Sequence, residues 1–246
     1  MKYKKLLSLA TASVLACSLS ITCAACGKDG DNGPNPAAPT NTYEYDIPQD
    51  YCRTYYEVFV RSFADGNGDG IGDFKGLIEK LDYLNDGDDS TTEDLGINGI
   101  WLMPINSSNS YHKYDVKDYY NVDAEYGTLD DFDKLVEECN KRDIWLQMDL
   151  VLNHTSKQHP WFKQALTDAR NGLTPETSEA MAKYCFKLTS ELSGSDGYAK
   201  VSDSPYSYLC NFSIEMPDLN LSNIQVREEI KNIVDFWLER GVHSFR

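Results

Sequence analysis

From Tyr55 onward, short apolar runs alternate with stretches whose apolar residues recur at helical spacing, and this alternation restricts the fold more than any other feature of the 246 residues. Residues 55–60 (Tyr-Tyr-Glu-Val-Phe-Val) read as a strand, and Phe74, Leu77, Ile78, Leu81 and Leu84 then follow helical spacing. Residues 99–104 form a second strand that its own Pro104 stops. Thr128 with Asp131 marks a helix start, and Leu129, Phe132, Leu135, Val136 and Cys139 lie on one face of that helix. Residues 144–151 are a third strand. Ile230, Ile233, Val234, Trp237 and Leu238 mark the next helix, which closes at Gly241, and residues 242–246 begin a fourth strand. Strands alternating with helices imply a parallel sheet, either open and doubly wound or closed into a barrel. No glycine-rich phosphate loop follows the first strand, which weighs against nucleotide binding.

The alternation breaks between His154 and Asn223. About 70 residues rich in Ser, Tyr and Asp intervene, far more than an ordinary connection needs. They read as a subdomain inserted on the strand-end face. The third strand runs into Asp149 and then delivers Asn153 and His154 where it should end. Barrel enzymes place their chemistry on polar groups at the ends of buried parallel strands. Taken alone, His154 reads as a hydrogen-bonded core histidine, and its place after Asn153 at a strand end brings the functional reading level with that one.

A formal charge of −16 argues against nucleic acid or an anionic membrane surface as partner. An aromatic content of 12%, with 16 Tyr, is too high for a disordered acidic chain and suits carbohydrate, whose CH faces pack on aromatic rings. Residues 1–26 read as a leader, with Lys2, Lys4 and Lys5 before an apolar stretch too short and interrupted for a confident membrane span. The leader ends Cys23-Ala24-Ala25-Cys26-Gly27, which resembles a bacterial lipoprotein cleavage site with Cys26 as the lipidated residue. Cys17 and Cys23 are rival positions, and a cleaved secretory signal or an uncleaved anchor are the alternatives. The expected location is extracellular, with the membrane reached only through the lipid. Residues 27–42 form a flexible Gly, Pro and Asn tether. Cys52, Cys139, Cys185 and Cys210 match no zinc spacing; Cys139 reads as a small buried hydrophobe, and Cys185 and Cys210 could pair outside the cell.

Residues 65–73 (Asp-Gly-Asn-Gly-Asp-Gly-Ile-Gly-Asp) place oxygen donors at alternate positions of a loop that glycine lets curl. Calcium takes six to eight such oxygens. The expected donors are Asp65, Asn67, Asp69 and Asp73 with the Ile71 carbonyl, although Gly76 stands where an EF-hand needs glutamate and a strand precedes the loop. The alternative is a solvated acidic turn. Residues 111–116 (Tyr-His-Lys-Tyr-Asp-Val) follow the second strand, and a sugar ring could be held there by stacking and hydrogen bonds; the alternative is an ordinary Tyr-rich surface loop.

Together these segments resemble the α-amylase family of glycoside hydrolases over about residues 50–246. Residues 99–104 are similar to its second-strand segment, and residues 111–116 to its substrate-binding loop. Asp149-Leu-Val-Leu-Asn153-His154 is similar to its D-x-x-x-N-H segment. Met216-Pro217-Asp218-Leu219-Asn220 resembles the signature closing its inserted B domain, in a form between the oligo-1,6-glucosidase-like and neopullulanase-like members. The resemblance implies a (β/α)8 barrel, here about strands 1–4, with residues 43–153 as the first half of domain A. Residues 154–222 would be domain B, and residues 223–246 the third barrel helix and the start of strand four. It implies retaining hydrolysis of α-glucan or maltooligosaccharide by two carboxylates. Tyr114 would stack on the sugar, with His112 in the same loop, and His154 would hydrogen-bond sugar hydroxyls. Asp149 would orient Arg246, which would keep the attacking carboxylate ionised. In many relatives Asn153 ligates a calcium between barrel and domain B, and the loop calcium at residues 65–73 resembles that of oligo-1,6-glucosidase-like members.

The family's fourth strand reads roughly Gly-x-Asp-Gly-Phe-Arg-x-Asp, ending on the nucleophile, whereas here it reads Gly241-Val242-His243-Ser244-Phe245-Arg246. The resemblance therefore puts the nucleophile and the acid/base beyond Arg246, and the expectation is an N-terminal fragment that folds poorly and is inactive alone. A noncatalytic carbohydrate- or protein-binding member, or a transglycosylase or isomerase on the same scaffold, are the alternatives.

Overall fold

The computed structural model describes residues 53–194 and 197–246; the leader with Cys26, the tether and Cys52 lie outside them. In chain order, strand β1 (Tyr55–Val58) leads into the short helix α1 (Val60–Phe63), then α2 (Phe74–Glu79) and α3 (Leu81–Leu84). Strand β2 (Gly99–Leu102) is followed by β3 (Asn106–Ser108) and β4 (Val116–Val122), then helix α4 (Leu129–Asn140) and strand β5 (Trp145–Met148). Next come α5 (Pro160–Arg170), α6 (Glu179–Ala182), and strands β6 (Phe186–Leu188), β7 (Tyr198–Lys200) and β8 (Tyr206–Leu209). Helix α7 (Ile224–Glu239) and strand β9 (Ser244–Phe245) complete the order.

The sheet runs β1-β2-β5-β9, and every pairing in it is parallel. Successive strand residues face opposite sides. Val58, Ile100, Leu102, Leu146 and Met148 are buried in one core with residues of α2, α4 and α7. On the other side Glu57, Trp101, Gln147 and Ser244 stand in one lateral row, in register across the four strands. Helix α4 begins where Thr128 and Asp131 predict, because each side chain accepts the other's backbone N–H in a capping box. Phe132 is the hub of the helical layer, with Phe74 at 5.7 Å and Trp237 at 5.3 Å, both edge-on.

The expected elements shift in several places. The first strand ends at Val58 rather than residue 60, because the Ser62 N–H turns back to the Phe59 carbonyl at 3.0 Å and starts α1. The apolar series from Phe74 to Leu84 divides at Lys80 (φ −108°, ψ 5°) into two helices. The second strand stops at Leu102, short of Pro104. The third keeps only residues 145–148. In α7 the buried stripe is Val226, Ile233 and Trp237, while Leu238 is exposed. The Trp237 indole N–H explains that rotation, since it donates 2.8 Å to the Tyr119 carbonyl and fixes which face turns inward. The helix closes as expected, with Gly241 at φ +92° donating to Leu238.

The segment after β5 has a core of its own. Its antiparallel sheet runs β6-β8-β7, and Phe162 of α5 packs between Tyr184 at 4.9 Å and Tyr208 at 4.8 Å. Cys139 is buried, and Cys185 and Cys210 are free thiols rather than a pair. His159 caps α5: its Nδ1 accepts the Trp161 N–H at 3.2 Å, and only 5% of the residue is exposed.

Burial pulls the His159 imidazole down to about 4, so the folded protein holds it neutral where the unfolded chain would protonate it. The stability this provides is complete above the unfolded value of about 6.5 and is lost as pH falls towards 4, to a total of about 3 kcal/mol at most. Urea midpoints measured across that window are expected to drop steeply for the native sequence and less for His159→Asn, which keeps a capping oxygen. Parallel curves would show that another group governs the acid limb.

Candidate active site

The β3–β4 hairpin, which the strand–helix alternation does not reveal, is what brings the residue 111–116 run to the end of the parallel sheet. The run is the tip of that hairpin, between Ser108 and Val116. Its Tyr114 reaches Asp149, which follows β5 and is 3% exposed. The Tyr114 hydroxyl donates to Asp149 Oδ2 at 2.9 Å. Arg246, following β9, places Nη1 at 3.1 Å from both oxygens of the same carboxylate. The strands enforce this meeting: the Leu150 N–H donates to the Arg246 carbonyl at 2.9 Å, and the Arg246 N–H to the Met148 carbonyl at 3.0 Å. The guanidinium also lies 4.7 Å from the centre of the Trp101 ring. Burial, then the bond to Asp149, pushes the Tyr114 phenol up to about 12, so it remains a neutral donor.

His154 is 4% exposed and its Nε2 lies 3.1 Å from the Tyr114 carbonyl. A carbonyl accepts, so that nitrogen carries the proton, and Nδ1 faces the Asn153 amide at 3.4 Å. His154 thus holds Tyr114 by its backbone while Asp149 holds it by its hydroxyl. Burial keeps the imidazole below its ordinary value, against the pull of the Tyr114 carbonyl, Asp218 and Asp115. His112 joins the group: its Nδ1 accepts the Tyr114 N–H at 3.1 Å, and its ring lies 5.9 Å from that of Tyr114. Tyr114, Asp149, His154, His112 and Arg246 are therefore linked in one cluster. A hollow of about 330 Å³, lined in part by His112, Asp115, Ser156 and Met216, borders it.

Two further groups belong to this neighbourhood. Phe212 is 70% exposed and stands 5.1 Å from the His154 ring. Its only signal in the sequence is that it shortly precedes the Met216–Asn220 segment. That segment is itself zipped to the end of β5: Thr155 donates to Pro217 at 3.1 Å, Leu219 donates to Asn153 at 2.8 Å, and His154 bridges Asp218. Asp115 lies beneath the tip; burial raises its carboxyl, but hydrogen bonds from Ser108 and Ser110 outweigh that and hold it below its usual range. His243 helps keep the last strand in place, as its ring stacks on Trp145 at 5.2 Å and its Nδ1 accepts the Leu146 N–H at 3.2 Å.

The loop of residues 65–73 is wound on its own backbone. Asp65 accepts from Gly68 at 2.6 Å and Gly70 at 2.7 Å, Asn67 from Asp69 at 2.9 Å, and Asp69 from Ile71 at 2.8 Å. Gly70, then Gly68, hold the Asp65 carboxyl below its usual range. Gly72 is required: a Cβ there would meet the Val60 carbonyl at 2.0 Å. Asp73 is 3% exposed, and its Oδ1 accepts from Gly76 at 2.7 Å as the cap of α2, while its buried Oδ2 has no hydrogen-bond partner. The donors are all hard oxygens, and an orphaned buried carboxylate oxygen is what a bound cation would satisfy. Among the described residues, however, no three His, Cys, Asp or Glu side chains converge as a metal-binding group.

The family profile "Alpha amylase, catalytic domain" matches residues 57–246. Alpha-amylase 3 of Dictyoglomus thermophilum is 42% identical over 207 residues, covering 84% of this chain and 38% of that protein. Oligo-1,6-glucosidase of Bacillus cereus is 39% identical over 196 residues, covering 78% and 33%. Amy13B of Eubacterium rectale superposes with a TM-score of 0.71 at 48% identity, over 79% of this chain and 36% of that one. The trehalulose synthase MutB, in its A258V mutant, gives 0.68 at 39% identity, over 79% and 34%. The chain thus spans about a third of the length of the curated relatives it matches. A profile that matches most of this chain, and parallel strands that superpose on solved relatives, place this chain in the α-amylase family of glycoside hydrolases, its four parallel strands being strands of a (β/α)8 barrel.

Proposed function

We propose that residues 53–246 supply the sugar-binding and charge-setting part of a site that hydrolyses α-glucan or maltooligosaccharide with retention. The observation that carries this reading is the Asp149 carboxylate shared by the Tyr114 hydroxyl and the Arg246 guanidinium at the strand ends. Tyr114 and Phe212 offer rings to a sugar face. His154 and His112 fix the Tyr114 backbone, and His154 can trade its bond to the Tyr114 carbonyl for one to a sugar hydroxyl. Arg246 is half-exposed, so its charge is open to a second carboxylate while Asp149 anchors it. In the retaining route one carboxylate attacks the anomeric carbon as another protonates the leaving oxygen, and water then cleaves the glycosyl ester. The guanidinium would hold the attacking carboxylate ionised. Because a trehalulose synthase lies among the structural neighbours, sugar isomerisation is the second reading, and the products formed by an active protein separate the two.

Titration of the chain with maltotriose is expected to show binding that Tyr114→Phe weakens about tenfold, the loss of one hydrogen bond to a charged group. Failure to bind the sugar would overturn the assignment.

The loop of residues 65–73 is proposed to hold calcium through Asp65, Asn67, Asp69, the Ile71 carbonyl and Asp73, with the orphaned Asp73 Oδ2 as the supporting observation. Bound there, calcium would supply fixed positive charge between β1 and α2. Calorimetric titration is expected to give one site and a raised unfolding temperature, both lost in Asp65→Ala; magnesium and calcium behaving alike, with no thermal shift, would refute it.

The lipid anchor at Cys26 is a proposal supported by the Cys23–Gly27 sequence alone. Expressed in a bacterium, the protein is expected to enter the detergent phase on Triton X-114 partition and Cys26→Ser to remain aqueous. An aqueous native protein would exclude the anchor.

A further inference from the structure

Between His112 and Tyr114 stands a lysine that the sugar-site reading leaves unused. Lys113 is 3% exposed, and its backbone adopts φ +62°, one of three non-glycine residues with positive φ among those described. A long side chain seldom occupies that region, and such a conformation persists only where its surroundings over-determine it. Here they do. The ammonium lies 2.6 Å from Glu125 Oε2 and 3.1 Å from Asp123 Oδ1, and 5.4 Å from the centre of the Tyr126 ring.

Each anchor is itself anchored. Asp123 Oδ2 accepts the Ser108 N–H at 2.8 Å, and Glu125 Oε2 accepts Arg61 Nη1 at 2.6 Å. The charges therefore tie the hairpin tip to its own base and to α1. Because residue 113 is left-handed and its side chain is drawn inward, His112 and Tyr114 are brought close enough for the Tyr114 N–H to reach His112 Nδ1 at 3.1 Å across it. A return of residue 113 to negative φ would rotate both adjoining peptides. The Tyr114 carbonyl would then leave His154, and its ring would leave Asp149.

We infer that Lys113 is a positioning residue for sugar recognition: its buried ion pairs with Asp123 and Glu125 hold the left-handed turn that aims His112 and Tyr114 together. The recognition half of this statement rests on the sugar-site reading above, whereas the geometric half does not. The test uses the whole chain and two variants. Lys113→Met removes the ammonium, and Glu125→Gln, at a side chain 38% exposed, loosens one anchor and serves as the second variant if the first fails to fold. In the sugar-free protein, the NMR signals of the His112 ring are expected to shift in both variants. Maltotriose affinity is expected to fall about tenfold, since small misplacements of contact groups are costly. A purely stabilising lysine would lower the unfolding midpoint and leave the folded-state His112 signals and the sugar affinity unchanged, and that result would overturn the inference. A native chain that ignores maltotriose would instead overturn the sugar-site reading, and the sugar-free spectra would still decide the role of Lys113.

Discussion

A carboxylate that is almost wholly buried must be partnered, because an unpaired charge out of water is far too costly to tolerate. Asp149 meets that demand with one guanidinium and one phenol, and in doing so it ties three distant pieces of chain together. Arg246 arrives on the neighbouring parallel strand, and Tyr114 arrives from the tip of an antiparallel hairpin. The carboxylate itself follows β5, the strand that pairs with β9. Remove it and the cationic head loses its ion pair, the Tyr114 hydroxyl loses its acceptor, and Tyr114 is left with the bond from His154 to its backbone. The phenol remains a donor because burial and the nearby anion both disfavour its ionisation, so the arrangement is self-consistent at neutral pH.

The inserted segment depends on the same strand end. Residues 153–155 pair with residues 217–219, so the chain leaves the sheet, builds a separate small core, and returns to bond its own point of departure. Tyr119 locks the junction from the barrel side: its hydroxyl donates to the Val151 and His154 carbonyls at 2.9 and 3.1 Å, and its carbonyl accepts from Trp237. The helical layer, the hairpin and the inserted segment therefore meet at one tyrosine. Phe212 stands beside His154 as a consequence of that return path, not of any local preference of its own sequence.

Much of this was legible in the chain. Periodic apolar residues marked the strands and helices, because burial on one face imposes the spacing of the element. Thr128 and Asp131 announced a helix start that the capping box realises. The Asp149, Asn153 and His154 series pointed to a strand end with polar work to do. The hairpin is not visible in the sequence because β3 is three polar residues long, Asn-Ser-Ser, with no alternation of apolar and polar residues. Leu238 falls outside the buried stripe of α7 because periodicity gives a face but not its rotation, which the Trp237 hydrogen bond sets.

By itself, the sequence determined the kind of fold, the order of its elements and the identity of the polar groups, since these follow from local propensity and from apolar period. Tertiary structure decided which of those groups meet. That Arg246 and Tyr114 share the Asp149 carboxylate depends on strand register and hairpin geometry across 97 and 35 positions of chain. That Lys113 turns inward depends on carboxylates placed by a different turn. Contacts of this kind are fixed by the pairing of whole elements and the cost of leaving buried charge unpaired, and neither is written in any short stretch of residues.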